Sequence, residues 1–130
     1  MIVLDASAAI DWLLQTNAGM HIEKRIFSRN ESVHSPHLLD LEVLQVLRRL
    51  CRERSISRER ADQALNDLLS LRIARYPHFI FLSQIWQQRH NLSAYDAAYV
   101  ALAERLGAPL LTRDTRLSAT ARHLAAIELF

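Results

Sequence analysis

Asp5, Glu42, Asp96 and Asp114 are the residues of this chain whose type and setting point to chemistry. Each ends or enters an otherwise apolar segment. Asp5 follows Ile2-Val3-Leu4, Glu42 lies among Leu38, Leu39 and Val46, Asp96 opens the run Ala97 to Leu102, and Asp114 comes just after Leu110-Leu111-Thr112. Carboxylates that converge repel one another and lose hydration, so they ionise together only when a cation lies between them or a pKa rises. A divalent metal answers that need. Oxygen ligands select Mg²⁺ or Mn²⁺ over zinc, and such ions serve phosphate chemistry.

Each acid also has an ordinary explanation. Aspartate is favoured at helix starts and in turns, which accounts for Asp5 or Asp114 taken singly. Glu42 has apolar neighbours at i−4, i−3 and i+4, where an isolated glutamate is costly unless it reaches solvent at the edge of the stripe. Asp40 faces another side of that helix and reads as surface. Asp96 stands three residues after Ser93, so Ser93-Ala94-Tyr95-Asp96 fits a capping box, reason enough for an acid there. The helix it opens is nearly all apolar, however, which puts its first turn under the same rim as the other acids.

The elements that must position these groups alternate between strand and helix. Ile2 to Leu4 reads as a strand feeding a helix over Ala6 to Leu14. A second helix spans Ala18 to Phe27, a short strand lies near Ser32 to Ser35, and Pro36 opens a helix reaching about Glu53. Ser57 caps the next helix, with Ala61, Ala64, Leu65, Leu68 and Leu69 at helical spacing. Ile73 to Tyr76 is a strand, Phe79 to His90 a helix, and Ser93 to Leu106 another, stopped by Gly107. Pro109 to Thr112 is a buried strand, Arg116 to Leu124 a short helix and Ala126 to Leu129 a final strand. This order predicts one α/β domain over residues 1–130, with a central, mostly parallel sheet covered on both faces. Ligands bind such sheets beyond the carboxyl ends of the strands, the rim to which Asp5 and Asp114 belong.

Composition removes other classes. The only glycines, Gly19 and Gly107, exclude the dinucleotide fingerprint and the phosphate-cradling loop. The single cysteine, Cys51, excludes an internal disulfide and a cysteine-based zinc site. The six histidines are scattered with no pair at ligand spacing and read as surface or satisfied core residues. Trp12, Trp86, Tyr95 and Tyr99 read as packing or interface residues. No Gly-x-Ser-x-Gly elbow is present. The amino terminus resembles neither a signal peptide nor a membrane span, so a cytoplasmic protein with no membrane partner is expected. Lys24 is the only lysine among sixteen cationic residues, and arginine's planar fork suits phosphate, which favours a nucleic-acid partner.

Four blocks, taken together, resemble the PIN-domain ribonucleases and, more narrowly, the VapC toxins of toxin–antitoxin pairs. They are Ile-Val-Leu-Asp-Ala-Ser-Ala at the start, Ser-Pro-His-Leu-Leu-Asp-Leu-Glu-Val-Leu from Ser35, Leu-Ser-Ala-Tyr-Asp-Ala-Ala-Tyr-Val-Ala-Leu-Ala from Leu92, and Leu-Leu-Thr-Arg-Asp-Thr-Arg-Leu from Leu110. The resemblance implies a three-layer α/β/α sandwich in which Asp5, Glu42, Asp96 and Asp114 bind Mg²⁺, or Mn²⁺ in its place. Ser7 and Thr112 stand where such proteins carry hydroxyls supporting the site. Arg113 and Arg116 are, by charge and position, candidates to contact RNA phosphates. A homodimer and a cognate VapB-like antitoxin are implied as well.

Three activities compete at this point: a metal-dependent endoribonuclease, a catalytically silent module that binds RNA or antitoxin, and a Mg²⁺-dependent phosphatase for small molecules. The complete quartet disfavours the second. The third normally wants a second acid two residues after a nucleophilic aspartate, where this chain has Ser7.

Overall fold

The computed structural model describes every residue from Met1 to Phe130. Its elements run β1 (Ile2–Leu4), α1 (Ala6–Leu13), α2 (Asn17–Ser28), β2 (Val33–Pro36), α3 (Leu38–Arg52), α4 (Arg58–Ser70), β3 (Ile73–Tyr76), a 3₁₀ turn (His78–Phe81), α5 (Leu82–Gln87), α6 (Ala94–Leu106), β4 (Leu110–Thr112), α7 (Thr115–Ala121) and β5 (Ile127–Leu129). All five strands are parallel, in the order β3-β2-β1-β4-β5. The chain moves outward from β1 through β2 to β3, then restarts on the other side of β1. Right-handed crossovers therefore put α1 to α4 on one face and α5 to α7 on the other, and the packing of α1 on α3 and of α6 on α5, β1 and β2 agrees.

β1 and β4 are short apolar runs buried on both faces, as a covered parallel sheet requires. The direction of winding reverses between them, so the segments that follow the two paired strands leave toward opposite faces and open a crevice at the rim. α6 is buried from Ala97 through Ala103, and its alanines let it lie close against the sheet. No helix is long and apolar enough to cross a membrane.

Four helices end in the same way. After α1, α2, α3 and α6 the chain enters the left-handed region at Gln15, Asn30, Arg54 and Gly107, and the next amide bonds back to a carbonyl five residues earlier. Only one of these positions is a glycine. The other glycine is fixed by packing, because a Cβ at Gly19 would lie 1.8 Å from the Asp11 carbonyl oxygen where α2 crosses α1.

Three expectations need correction. Pro36 does not open α3; it ends β2 opposite Tyr76, at a strand end where a missing amide is tolerated. The helix expected over Phe79 to His90 is a 3₁₀ turn after Pro77 followed by only six helical residues, with Phe79, Ile80, Leu82 and Trp86 exposed. Leu69 is exposed too, and Ala64 and Leu68 carry the buried face of α4.

Candidate metal and nuclease site

Asp5 is the best-anchored acid on the rim. It is only 5% exposed and serves as the N-cap of α1, with Oδ1 accepting from the Ala8 amide at 2.9 Å and from the Ser7 hydroxyl at 2.7 Å. Its Oδ2 accepts from the Thr112 hydroxyl. Those two hydroxyls also tie down the opposite loop, since Ser7 Oγ accepts from the Arg113 amide at 2.9 Å and Thr112 Oγ1 from the Asp114 amide at 3.0 Å. Ser7 and Thr112 thus fasten the end of β4 to the end of β1.

The remaining acids arrive from three helices. Glu42, on the first turns of α3, is half-buried, and its Oε1 accepts from the Tyr99 hydroxyl at 2.6 Å. Asp96 lies in the first turn of α6, where Ser93 caps its amide at 3.1 Å. Asp114 caps α7 through Oδ1, accepting from the Arg116 and Leu117 amides at 2.9 and 3.1 Å. Oε2 of Glu42 and Oδ2 of Asp114 have no protein donor.

Electrostatics links the four. Burial pushes the Asp5 carboxyl up despite its three hydrogen bonds, and the charge of Asp96 adds to the rise. Burial raises Glu42, against the pull of the Tyr99 bond, with Asp96 and Asp5 adding to it. Asp96 is raised by burial, against the Ser93 hydroxyl, and raised further by Asp114, with Arg116 opposing. None of the four belongs to an ion pair. The rim is therefore a concentration of negative charge with no ion pair, and Arg116 is the cation that acts on it.

The gathered donors are carboxylate and hydroxyl oxygens, a set that fits a hard divalent cation. No three acidic, histidine or cysteine side chains stand close enough to form a ready coordination sphere.

The two arginines differ. Arg116 lines a cleft of about 160 Å³ together with Ser93 and Asp96. Arg113 is spent inside the protein, donating to Asp11 Oδ2 at 2.6 Å and to the Phe130 carbonyl. Tyr99 is the residue that sequence reasoning assigned only to packing. It is 2% exposed, and burial together with Glu42 raises its hydroxyl pKa. Its spacing from Asp96, one turn along α6, puts both on one face, a signal available in the sequence. Among the histidines, His34 is a satisfied core residue, bonded to Ser32 and Tyr76 at 2.8 Å each.

A family model described as PIN domain matches residues 2–123. The chain is 42% identical over 129 residues to "Ribonuclease VapC12" of Mycobacterium tuberculosis, covering 99% of this chain and 98% of that one. It is 45% identical over 120 residues to "Ribonuclease VapC9" of the same organism, covering 92% and 91%. Among solved structures, PAE2754 from Pyrobaculum aerophilum superposes with a TM-score of 0.71 at 26% identity, over 97% of this chain and 81% of that one. The Mycobacterium tuberculosis toxin VapC20, described as cleaving the sarcin-ricin loop, shares the fold with a TM-score of 0.65 at 19% identity, over 92% and 94%.

Proposed function

The chain belongs to the PIN domain family, and from that premise we propose that it is a metal-dependent endoribonuclease, the toxin of a toxin–antitoxin pair. The observation that carries this reading is the gathering of Asp5, Glu42, Asp96 and Asp114 at the switch point of the sheet, close enough for Asp96 to act on Asp5 and Glu42 and for Asp114 to act on Asp96, in a chain so similar to named ribonucleases.

Mg²⁺, or Mn²⁺ in its place, would supply positive charge against the phosphate oxygens and lower the pKa of the attacking water. Asp5, Asp96 and Asp114 would hold the ion. Glu42 would ligate through Oε2 or take the proton of the attacking water, with Tyr99 fixing its other oxygen. Ser7 and Thr112 keep Asp5 oriented while β4 stays fastened to β1. Arg116, on the wall of the cleft, is the cation available to a scissile phosphate. Because water attacks, the RNA 2′-hydroxyl is not needed, and products carry a 5′-phosphate and a 3′-hydroxyl.

The proposal extends to partners and location. A VapB-like antitoxin would send an arginine into the acidic cleft in place of the metal's charge. A homodimer would cover the exposed apolar side chains Phe79, Ile80, Leu82, Trp86 and Tyr95. The working compartment would be the cytoplasm. The test is incubation of the purified, partner-free protein with structured RNAs in Mg²⁺, in Mn²⁺ and with chelator. Cleavage in both metals and none with chelator is expected. Cleavage that survives chelator, or 2′,3′-cyclic phosphate ends, would overturn the mechanism.

A further inference from the structure

We infer that the C-terminal half of α3 and the turn after it form a second RNA contact, an arginine-walled strip that grips the phosphate backbone away from the acidic rim. The inference rests on the ribonuclease reading, because it assigns the strip to the same substrate.

The charge of the chain is unevenly placed. Residues 48–60 hold six arginines, Arg48, Arg49, Arg52, Arg54, Arg58 and Arg60, against Glu53 and Glu59, a net +4. The whole chain carries +2, so everything else sums to −2. A polyanion approaching this molecule is drawn to the strip and repelled by the acids of the rim.

The geometry makes the strip a site. Gln45, Arg48, Arg49 and Arg52 recur at helical spacing along one exposed face of α3 and, with Glu53, wall a depression of about 460 Å³ that has no apolar lining residue. The only internal compensation is Arg49 to Glu53 at 3.8 Å, an exposed pair of small worth. Arg48, Arg52, Arg54 and Arg58 donate to no protein group. Arg60 is the exception, bonded to the Leu13 carbonyl at 2.7 Å.

Complementing the helix dipole explains Arg49 and Arg52 in the last turn of α3, but neither Arg48 before it nor the arginines beyond it. Arg54 continues the strip into the turn, with its side chain exposed. It holds the left-handed position that closes α3, at φ 57°, where glycine or asparagine is the usual occupant.

The strip is within reach of the acids. Glu42 and Arg52 lie on one helix, ten residues and about 15 Å apart along its axis. An RNA strand cut at the rim can continue along the outer face of α3 and place its phosphates against Arg48, Arg49 and Arg52. The partner this chemistry fits is the backbone of an RNA, read without base specificity.

The test compares R48Q/R49Q/R52Q with a control of equal charge change, R29Q/R72Q/R122Q, taken from exposed arginines that bond to nothing in the protein. Binding of a fluorescent 20-nucleotide single-stranded RNA is followed by anisotropy with chelator present, across a range of salt. Loss of three phosphate contacts is expected to weaken binding at least tenfold and to flatten the slope of log K against log salt by about 2, as about 0.7 is lost per single-strand contact. The control should move both far less. In the cleavage assay the strip variant should raise KM for the 20-mer and leave kcat unchanged. Equal slopes in the two variants, or no binding of RNA by the wild type, overturn the strip. Failure of the wild type to cleave any RNA overturns the nuclease reading instead, and the chelated binding arm still decides the strip. Equal melting temperatures for the three proteins exclude misfolding as the cause.

Discussion

Two groups of acids in this molecule have opposite fates. Glu31, in the turn before β2, accepts from the chain's amino terminus at 2.6 Å and from Arg25 at 2.9 Å, and these cations hold its carboxyl below the usual range. Arg25 bonds Glu128 on β5 as well, through Nε and Nη2 at 2.8 Å each. At the other end of the strands Asp5, Glu42 and Asp96 are raised, first by burial and then by neighbouring acids: Asp96 acts on Asp5 and Glu42, and Asp114 acts on Asp96. The residue types are the same; compensation differs. The Arg25 cluster is charge closed on itself, which joins α2, the β2 turn and the far strand of the sheet. The rim is charge left open, which costs the fold and is of use only to something that arrives from outside.

Asp96→Asn opens that contrast widest. It removes charge from the open cluster while keeping the size of the side chain, so cleavage is expected to fall at least about a hundredfold. The ion-free protein is expected to gain about 0.5–1 kcal/mol, because like-charge repulsion is relieved. Steady-state kinetics and thermal melting in chelator read the two effects. A variant less stable than the wild type would mean that Asp96 is compensated after all. Asp5→Asn should lose activity equally but not gain stability, because an amide nitrogen would replace the oxygen that accepts from Thr112.

The contrast was only partly legible in the sequence. Glu42 among Leu38, Leu39 and Val46 was conspicuous because local spacing alone puts an acid on an apolar stripe. The strands and most helices followed from short apolar runs and from caps such as Ser57 and Ser93, each local as well. What escaped depends on residues far apart. Arg113 looked free for phosphate, but Asp11, 102 residues away, holds it. Tyr99 meets Glu42 across 57 positions. After Pro77, Phe79 and Ile80 are exposed on a 3₁₀ turn and only Phe81 reaches the core, so the apolar spacing there does not mark a helix face.

Arg25→Ala attacks the closed cluster. It leaves two carboxylates, Glu31 and Glu128, without their shared cation, and a loss of about 2–3 kcal/mol in denaturant unfolding is expected, with RNA cleavage unchanged below the melting point. A loss of cleavage at equal folded fraction would show that the two ends of the sheet are coupled. Glu31→Gln probes the same cluster through pH. Because the folded pKa of Glu31 lies below its unfolded value, its contribution is fully present above the unfolded value and disappears as pH falls through the folded one. The wild type should therefore lose stability over that acidic window, and Glu31→Gln, less stable by about 1 kcal/mol at neutral pH, should lose less. Urea melts at several acidic pH values read the difference, and parallel curves would contradict it.

Glu53→Gln asks whether compensation alone, without burial, is enough to make an ion pair structural. Glu53 and Arg49 are one helical turn apart at 3.8 Å, and both side chains are more than half exposed, at 52% and 59%. Water screens such a pair, and ordering two long side chains offsets what attraction remains, so the expected change is below about 0.5 kcal/mol. Arg25 and Glu31, at 13% and 14% exposure, make a contact of the same chemistry with the solvent largely excluded. If urea unfolding of Glu53→Gln showed a loss approaching that of Arg25→Ala, burial would not be what separates the two pairs. The strip on α3 would then be a closed network like the Arg25 cluster, with less charge free for RNA.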